Sequence, residues 1–236
     1  MNLGLRNWLA ERCLEEISAA ESAGAVSALA GFAERADRSG AAVGLSEEAA
    51  RILARSPKIF ERSDGQVQLA PSLVADLPEL RWRAARFVEA VAACRERCGA
   101  PPQAAIRDPH RRSAGMPPST DEIAWTLCAA GALFNAGLFF EVHELLEPSW
   151  LRAEGPLRLF LQGLIQISAG LHHEQNGNRR GAIALLGEGS GKLRPFAPGV
   201  HGIDLEVFLA EIAELVRALA APAPVAELRV PRLVVR

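Results

Sequence analysis

The sequence lacks a strongly basic segment and a long apolar run. Its 236 residues carry a net charge of −2, and no stretch concentrates lysine and arginine as nucleic-acid-binding proteins do. No apolar run approaches the ~18 residues of a membrane-spanning helix, and the N-terminus lacks the pattern of a secretory signal. We therefore expect a soluble, cytoplasmic protein with no membrane partner.

Cysteine is scarce, and its spacing matches neither a metal motif nor a redox motif. Cys13, Cys94, Cys98 and Cys128 lie in predicted helices without CxxC spacing, which is typical of reduced thiols in a cytosol rather than of a disulfide framework. Cys94 and Cys98 fall one helical turn apart and suit a shared metal ion by spacing alone. Because no second Cys or His pair is nearby, we interpret both as helix-packing thiols.

The composition is that of a globular protein in which helical periodicity dominates. Hydrophobic residues make up 49% of the chain and charged residues 23%. We predict a mainly α fold, in which an all-α helical bundle follows a small winged-helix-like α+β domain. The predicted ranges are 1–75 for the winged-helix-like domain, 76–118 for a connecting helix and a Pro/Gly-rich linker holding His110, 119–220 for the bundle, and 221–236 for a tail with a short strand.

The winged-helix prediction rests on three helices followed by a β-hairpin. Ser46 is expected to cap the third helix, and Asp64-Gly65 is a strong hairpin signal. That third helix begins with Glu47 and Glu48, whereas contact with phosphate usually drives nucleic-acid affinity. For this domain we therefore favour a structural role or a protein partner, including a homo-oligomer, over nucleic-acid binding.

The C-terminal half predicts antiparallel helical hairpins. An apolar stripe from Ile123 to Leu145 predicts one long helix, which Pro148 should bend or end. Asn178 and Asp204 are expected to cap two later helices.

Polar side chains interrupt two of these apolar helices. On the first helix the polar residues step by four or lie beside that step: they are Asn135, His143, Glu144 and Glu147. On the second helix, at 100° per residue, they share about one quarter of the circumference: they are Arg158, Gln162, Gln166, His173 and Asn176. His172 lies outside that sector. A narrow polar stripe on an apolar helix implies a polar partner, so we expect the two stripes to face each other.

Three interpretations of these polar residues remain open. In a structural network, Arg158 pairs with Glu144 or Glu147. In a zinc or iron site, the candidate ligands are His143, Glu147 and His173 or His172. If this metal site is catalytic, the protein is a metal-dependent hydrolase with Glu144 or Glu147 as its catalytic base.

The third interpretation is a pocket for a small anionic ligand held by Arg158, Gln162 and His143. The candidate ligand-binding residues as a set are Asn135, Trp150, Arg158, Gln162 and Gln166. Our first hypothesis is a binding module for a metal or a small ligand, with a regulatory role. A hydrolase and a purely structural network are the alternatives.

Three sequence strings in this half carry a family resemblance. FNAGLFFEVHELLEPSW, RLFLQGLIQISAGLHH and GNRRGAIALLGEG resemble the bacterial and archaeal family catalogued as domain of unknown function 309, over roughly residues 119–200. The resemblance implies a small all-helical domain, and the family has no established activity. Its signature positions correspond here to Asn135, His143, Glu144, Glu147, Trp150, Gln162 and His173 or His172.

Overall fold

The computed structural model describes residues 1–19, 24–36, 42–56, 58–64, 66–102, 116–221 and 229–235. His110 lies outside these residues. The described chain forms two compact units, residues 1–96 and 97–236. The fold is mainly α, as predicted. None of the helices in the described ranges is long and apolar enough to cross a membrane.

The N-terminal unit combines helices with one small sheet. Its elements are α1 (Leu3–Ser18), α2 (Ala25–Arg35), β1 (Val43–Gly44), α3 (Glu47–Ala54), β2 (Phe60–Ser63), β3 (Gln66–Leu69), a 3₁₀ turn (Pro71–Asp76) and α4 (Leu77–Cys98), whose last two residues fall in the second unit. The strands form an antiparallel sheet in the order β1-β3-β2. The predicted pair of hairpin strands is confirmed, with Phe60 opposite Leu69, while Gly65 is not among the described residues.

Local sequence explains where α3 and the sheet lie. Ser46 caps α3 as predicted, its side chain accepting a hydrogen bond from the Ala49 amide at 3.2 Å. Phe60 on β2 is buried and packs edge-on against Phe32 of α2, with ring centroids 5.1 Å apart. This aromatic contact joins the sheet to the helical layer. The winged-helix assignment itself remains a prediction.

Five helices make up most of the described part of the C-terminal unit. Its elements are α5 (Thr120–Asn135), α6 (Phe139–Arg152), α7 (Gly155–Gln175), α8 (Arg179–Leu193), a 3₁₀ turn (Arg194–Phe196), β4 (Gly199–Val200), β5 (Ile203–Asp204) and α9 (Leu205–Ala220). Strands β4 and β5 form a short antiparallel hairpin. Asn178 caps α8 as predicted, with its side chain accepting from the Gly181 amide at 3.0 Å.

Glycines allow α7 and α8 to pack with their backbones close together. A Cβ atom on Gly163 of α7 would lie 2.8 Å from Leu193 side-chain atoms and 3.1 Å from the Gly189 carbonyl oxygen. A Cβ atom on Gly189 of α8 would in turn lie 2.8 Å from the Gly163 carbonyl oxygen. Neither position has room for a larger side chain, so these glycines set the spacing of the two helices.

The prediction of a single first bundle helix is wrong. The stripe from Ile123 to Leu145 does not form one helix, because the chain turns between α5 and α6 at Gly137, whose φ is +76°. Only glycine adopts that conformation without steric cost. Pro148 does not end α6 either, and the helix continues to Arg152. There the Arg152 side chain bonds the Pro148 carbonyl oxygen at 3.2 Å and pairs with buried Glu122 of α5.

The prediction of four reduced thiols is also wrong. Cys98, at the end of α4, and Cys128 of α5 form a disulfide, with their Cα atoms 5.6 Å apart. Cys98 therefore does not share a metal ion with Cys94. Cys13 and Cys94 are buried thiols outside this disulfide, as predicted for packing residues. Burial raises the pKa of the Cys94 thiol to about 11.

The tail packs against the helices of the C-terminal unit. Leu233 is buried, and Val235 forms an isolated antiparallel bridge with Ile203. The Arg232 amide donates to the Glu211 carboxylate of α9 at 3.1 Å. Residues 229–235 thus add an extended segment to this unit.

Candidate functional site

Two histidines meet one phenylalanine where the N-terminal end of α6 faces the C-terminal end of α7. The Phe140 ring centroid lies 6.4 Å from that of His143 and 5.5 Å from that of His172. His143 Nδ1 lies 3.2 Å from Glu144 Oε1, and both side chains are about one third exposed. We call Phe140, His143, Glu144 and His172 the imidazole cluster.

The hairpin of α6 and α7 produces this cluster from separate parts of the chain. Phe140 and His143 lie three residues apart on α6 and so share one side of it. His172, near the end of α7, reaches Phe140, while Arg158, near the start of α7, reaches Trp150. The two helices are therefore antiparallel, as predicted.

Two members of the predicted polar stripe of α7, Gln166 and His173, bond α8 and not α6. Gln166 Nε2 donates to Glu188 of α8 at 2.8 Å, and His173 Nδ1 accepts from Asn178, the α8 cap, at 2.8 Å. Gln162 precedes Gln166 by one turn and is half-buried. Gln166 and His173 thus lie toward α8, whereas His172 is the histidine that α7 presents to α6.

Arg158 binds backbone rather than a glutamate. Its Nη1 atom donates to the carbonyl oxygens of Trp150, Leu151 and Ala153, at 3.0, 3.3 and 3.3 Å. Its guanidinium lies 4.5 Å from the centroid of the Trp150 ring. Arg158 therefore caps the last carbonyls of α6 and holds Trp150 by a cation–π contact, rather than forming the predicted pair with Glu144 or Glu147.

Asn135 contacts the tail and not the imidazole cluster. Its Nδ2 atom donates to the Leu233 carbonyl oxygen at 2.9 Å, and its Oδ1 atom accepts from the Leu233 amide at 3.0 Å. The Asn135 side chain thus bonds both the carbonyl oxygen and the amide of Leu233, as the backbone of a neighbouring β-strand would. One turn earlier on α5, a Cβ atom on Gly131 would lie 2.9 Å from the Val235 side chain.

The candidate metal ligands do not gather at one place. Among the described residues, no three His, Cys, Asp or Glu side chains are grouped as ligands of a metal ion would be. Glu147 follows His143 by one turn of α6 and is half-buried, whereas His173 is bonded to Asn178. Of the predicted site residues, the structure brings His143, Glu144 and His172 together around Phe140.

Phe140 is the member of the cluster that the sequence interpretation missed. In an apolar string such as LFFEV, a half-buried aromatic ring looks the same as a core ring such as Phe139. The available signal was its spacing of three residues from His143, which places the two rings on one side of α6.

The comparisons with known proteins identify a domain but not an activity. The family model described as Domain of unknown function (DUF309) matches residues 127–185, in the C-terminal half. This range contains the imidazole cluster, Trp150 and Arg158, so the predicted resemblance of this half is confirmed. No curated protein and no solved structure matches the chain.

Proposed function

We propose that the C-terminal unit is a binding module whose imidazole cluster holds a small organic ligand with an acidic group, a carboxylate or a phosphate. The observation that carries this proposal is the partly exposed pair of His143 and Glu144, 3.2 Å apart and beside a phenylalanine that also contacts His172. It supports binding because it combines a polar pair and an apolar ring on one accessible surface.

Each member of the cluster has a distinct role in this proposal. A carboxylate at Nδ1 of His143 fixes the tautomer and the orientation of the ring, which directs the Nε2 atom toward a ligand. The imidazole N–H group of His143 binds the acidic group, and Phe140 packs against the apolar part of the same molecule. His172, whose two ring nitrogens each lie 3.3 Å from Asn176 Nδ2, borders the site through its contact with Phe140. Small-ligand sites commonly combine apolar walls with a few placed polar groups.

A metal centre is supported less well. Zinc sites use three or four protein ligands, and the described residues hold no group of three. A hydrolase with His143 and His173 as ligands would also need His173 to leave its bond with Asn178 on α8. We therefore do not propose a zinc or iron site, and metal binding is one of the outcomes that the titration below can reveal.

Calorimetric titration of the full chain with benzoate tests the proposal, because benzoate joins a carboxylate to a flat apolar ring. We expect benzoate to bind, the uncharged analogue benzamide to bind far more weakly, and His143→Gln to remove benzoate binding. His173→Gln is the matched control and should retain it. Equal binding of benzoate and benzamide, or equal loss in both variants, would contradict the proposal. Stoichiometric binding of zinc that requires His143 would instead assign the cluster to a metal.

For the N-terminal unit we propose a protein partner, a second copy of the chain included, rather than nucleic acid. Arg51 and Arg62 both pair with Glu47, at 3.9 and 2.7 Å, so one carboxylate offsets two of the cations that phosphate contact would need. A shift assay on random duplex DNA should show no binding at low salt. Salt-dependent retardation of the unmodified protein would overturn this part of the proposal.

We also propose a cytoplasmic location. Disulfides in a reducing compartment are mostly transient and redox-responsive. The bond between Cys98 and Cys128 then belongs to that class.

A further inference from the structure

A cleft of about 460 Å³ opens in the C-terminal unit, on residues that the candidate site does not use. Its volume is within the range of small-ligand sites. The wall includes the end of α4, the first turns of α5, the turn between β4 and β5, and the tail. Its lining residues are Arg97, Cys98, Ala100, Pro102, Asp121, Ala124, Trp125, Cys128, His201 and Val235.

The disulfide forms part of the wall of this cleft. Cys98 and Cys128 both line it, and both are half-buried. The other two cysteines, Cys13 and Cys94, are buried. A small molecule can therefore reach the Cys98–Cys128 disulfide but not the thiols of Cys13 and Cys94.

The groups beside the disulfide give the cleft its ligand preference. Arg97 and Asp121 are exposed side chains of opposite charge, and His201 adds an imidazole. Trp125 provides an apolar surface, and its Nε1 atom donates to the Gly99 carbonyl oxygen, 3.4 Å away, next to Cys98. Arg97 can attract an anion and stabilise a thiolate that forms nearby.

We propose that this cleft is a thiol–disulfide exchange site for a small anionic thiol. The incoming thiolate attacks one sulfur of the Cys98–Cys128 bond, and the other sulfur leaves as a thiolate that takes up a proton from water. A second thiol molecule then attacks the mixed disulfide and releases the small-molecule disulfide and the second cysteine. The small thiol is oxidised and the protein is reduced by the same two electrons, and the reverse sequence restores the bond.

Alkylation and mass spectrometry of the folded, oxidised full chain test the proposal, with reduced glutathione as the anionic thiol. We expect Cys98 and Cys128 to become alkylated while Cys13 and Cys94 stay unmodified, which shows that the protein remained folded. If Cys98 and Cys128 react only together with Cys13 and Cys94, the bond opens only on unfolding and the proposal fails. Four free thiols in protein kept under oxidising conditions would also overturn it.

Two charge variants test the stated class of thiol. Arg97→Gln should slow reduction by glutathione about tenfold, the low end of the effect of a focused charge on association rates, and should slow reduction by the uncharged thiol 2-mercaptoethanol less. Arg95→Gln is the matched control, because Arg95 lies on the same helix but bonds Glu16 at 2.9 Å and does not line the cleft. Equal slowing by both variants, or equal effects of Arg97→Gln on both thiols, would contradict recognition of an anion in the cleft.

Discussion

The contact between Asn135 and the tail gives a quantitative prediction for Asn135→Ala. The Asn135 amide makes two hydrogen bonds to the Leu233 backbone, at 2.9 and 3.0 Å. A hydrogen bond of this kind contributes about 1 kcal/mol, so the substitution should lower the free energy of unfolding of the C-terminal unit by about 2 kcal/mol. Burial of Leu233 makes this cost larger rather than smaller, since its backbone groups have little access to water.

A double-mutant cycle isolates this contact from other effects of the substitution. In a chain that ends before residue 229 the partner of Asn135 is absent, so Asn135→Ala should then cost less than about 0.5 kcal/mol. Urea unfolding followed by tryptophan fluorescence measures both differences. A background with Trp8→Phe and Trp82→Phe leaves Trp125 and Trp150, which both lie in the C-terminal unit. An equal cost of Asn135→Ala in the long and short chains would refute the reasoning.

Three further predictions concern helix packing, thiol reactivity and a surface carboxylate. Gly163→Ala should destabilise the protein by about 1–3 kcal/mol through overpacking, whereas Gly187→Ala, with no atom within 4 Å of the added Cβ, should stabilise it by up to about 1 kcal/mol; thermal unfolding checks both. The Cys94 thiol, whose pKa burial raises to about 11, should resist alkylation at neutral pH until urea unfolds the chain, and rapid labelling of the native protein would contradict this. Arg62 hydrogen-bonds Glu47 and lowers the pKa of its carboxyl group, so the pair stabilises the fold above the unfolded-state pKa and loses this effect as the pH falls through the lower folded-state pKa. A carboxyl ¹³C NMR titration should show the Glu47 pKa rising in Arg62→Gln, and an unchanged value would contradict the pairing.

Local signals in the sequence predicted most of the helices. Apolar spacing depends on one helix at a time, and caps such as Ser46 and Asn178 depend on a few adjacent residues, so both can be interpreted without tertiary information. The same restriction to local patterns led to the wrong prediction at Gly137 and left the effect of Pro148 open. Whether a glycine turns the chain or a proline is tolerated within a helix depends on tertiary packing, which apolar spacing does not show.

The candidate site was only partly predictable, because periodicity gives the side of a helix and not its neighbour. The spacing correctly grouped Gln166 with His173, but these residues face α8 and not α6. The spacing also puts His172 outside the polar stripe, on a different side of α7, and on that side His172 contacts Phe140. The disulfide was missed because Cys98 and Cys128 are 30 residues apart in sequence, and no local pattern shows that they meet.

The most direct test of the proposed binding module is an NMR titration of the histidine side chains with benzoate. With the imidazole signals assigned through His→Gln variants, we expect benzoate to shift His143 and His172 together. The signals of His173, which is bonded to the α8 cap, and of His201, which lines the separate cleft, should not move. Shifts at His173 or His201 without shifts at His143 and His172, or no shift at any histidine, would contradict the assignment of the imidazole cluster as the binding site.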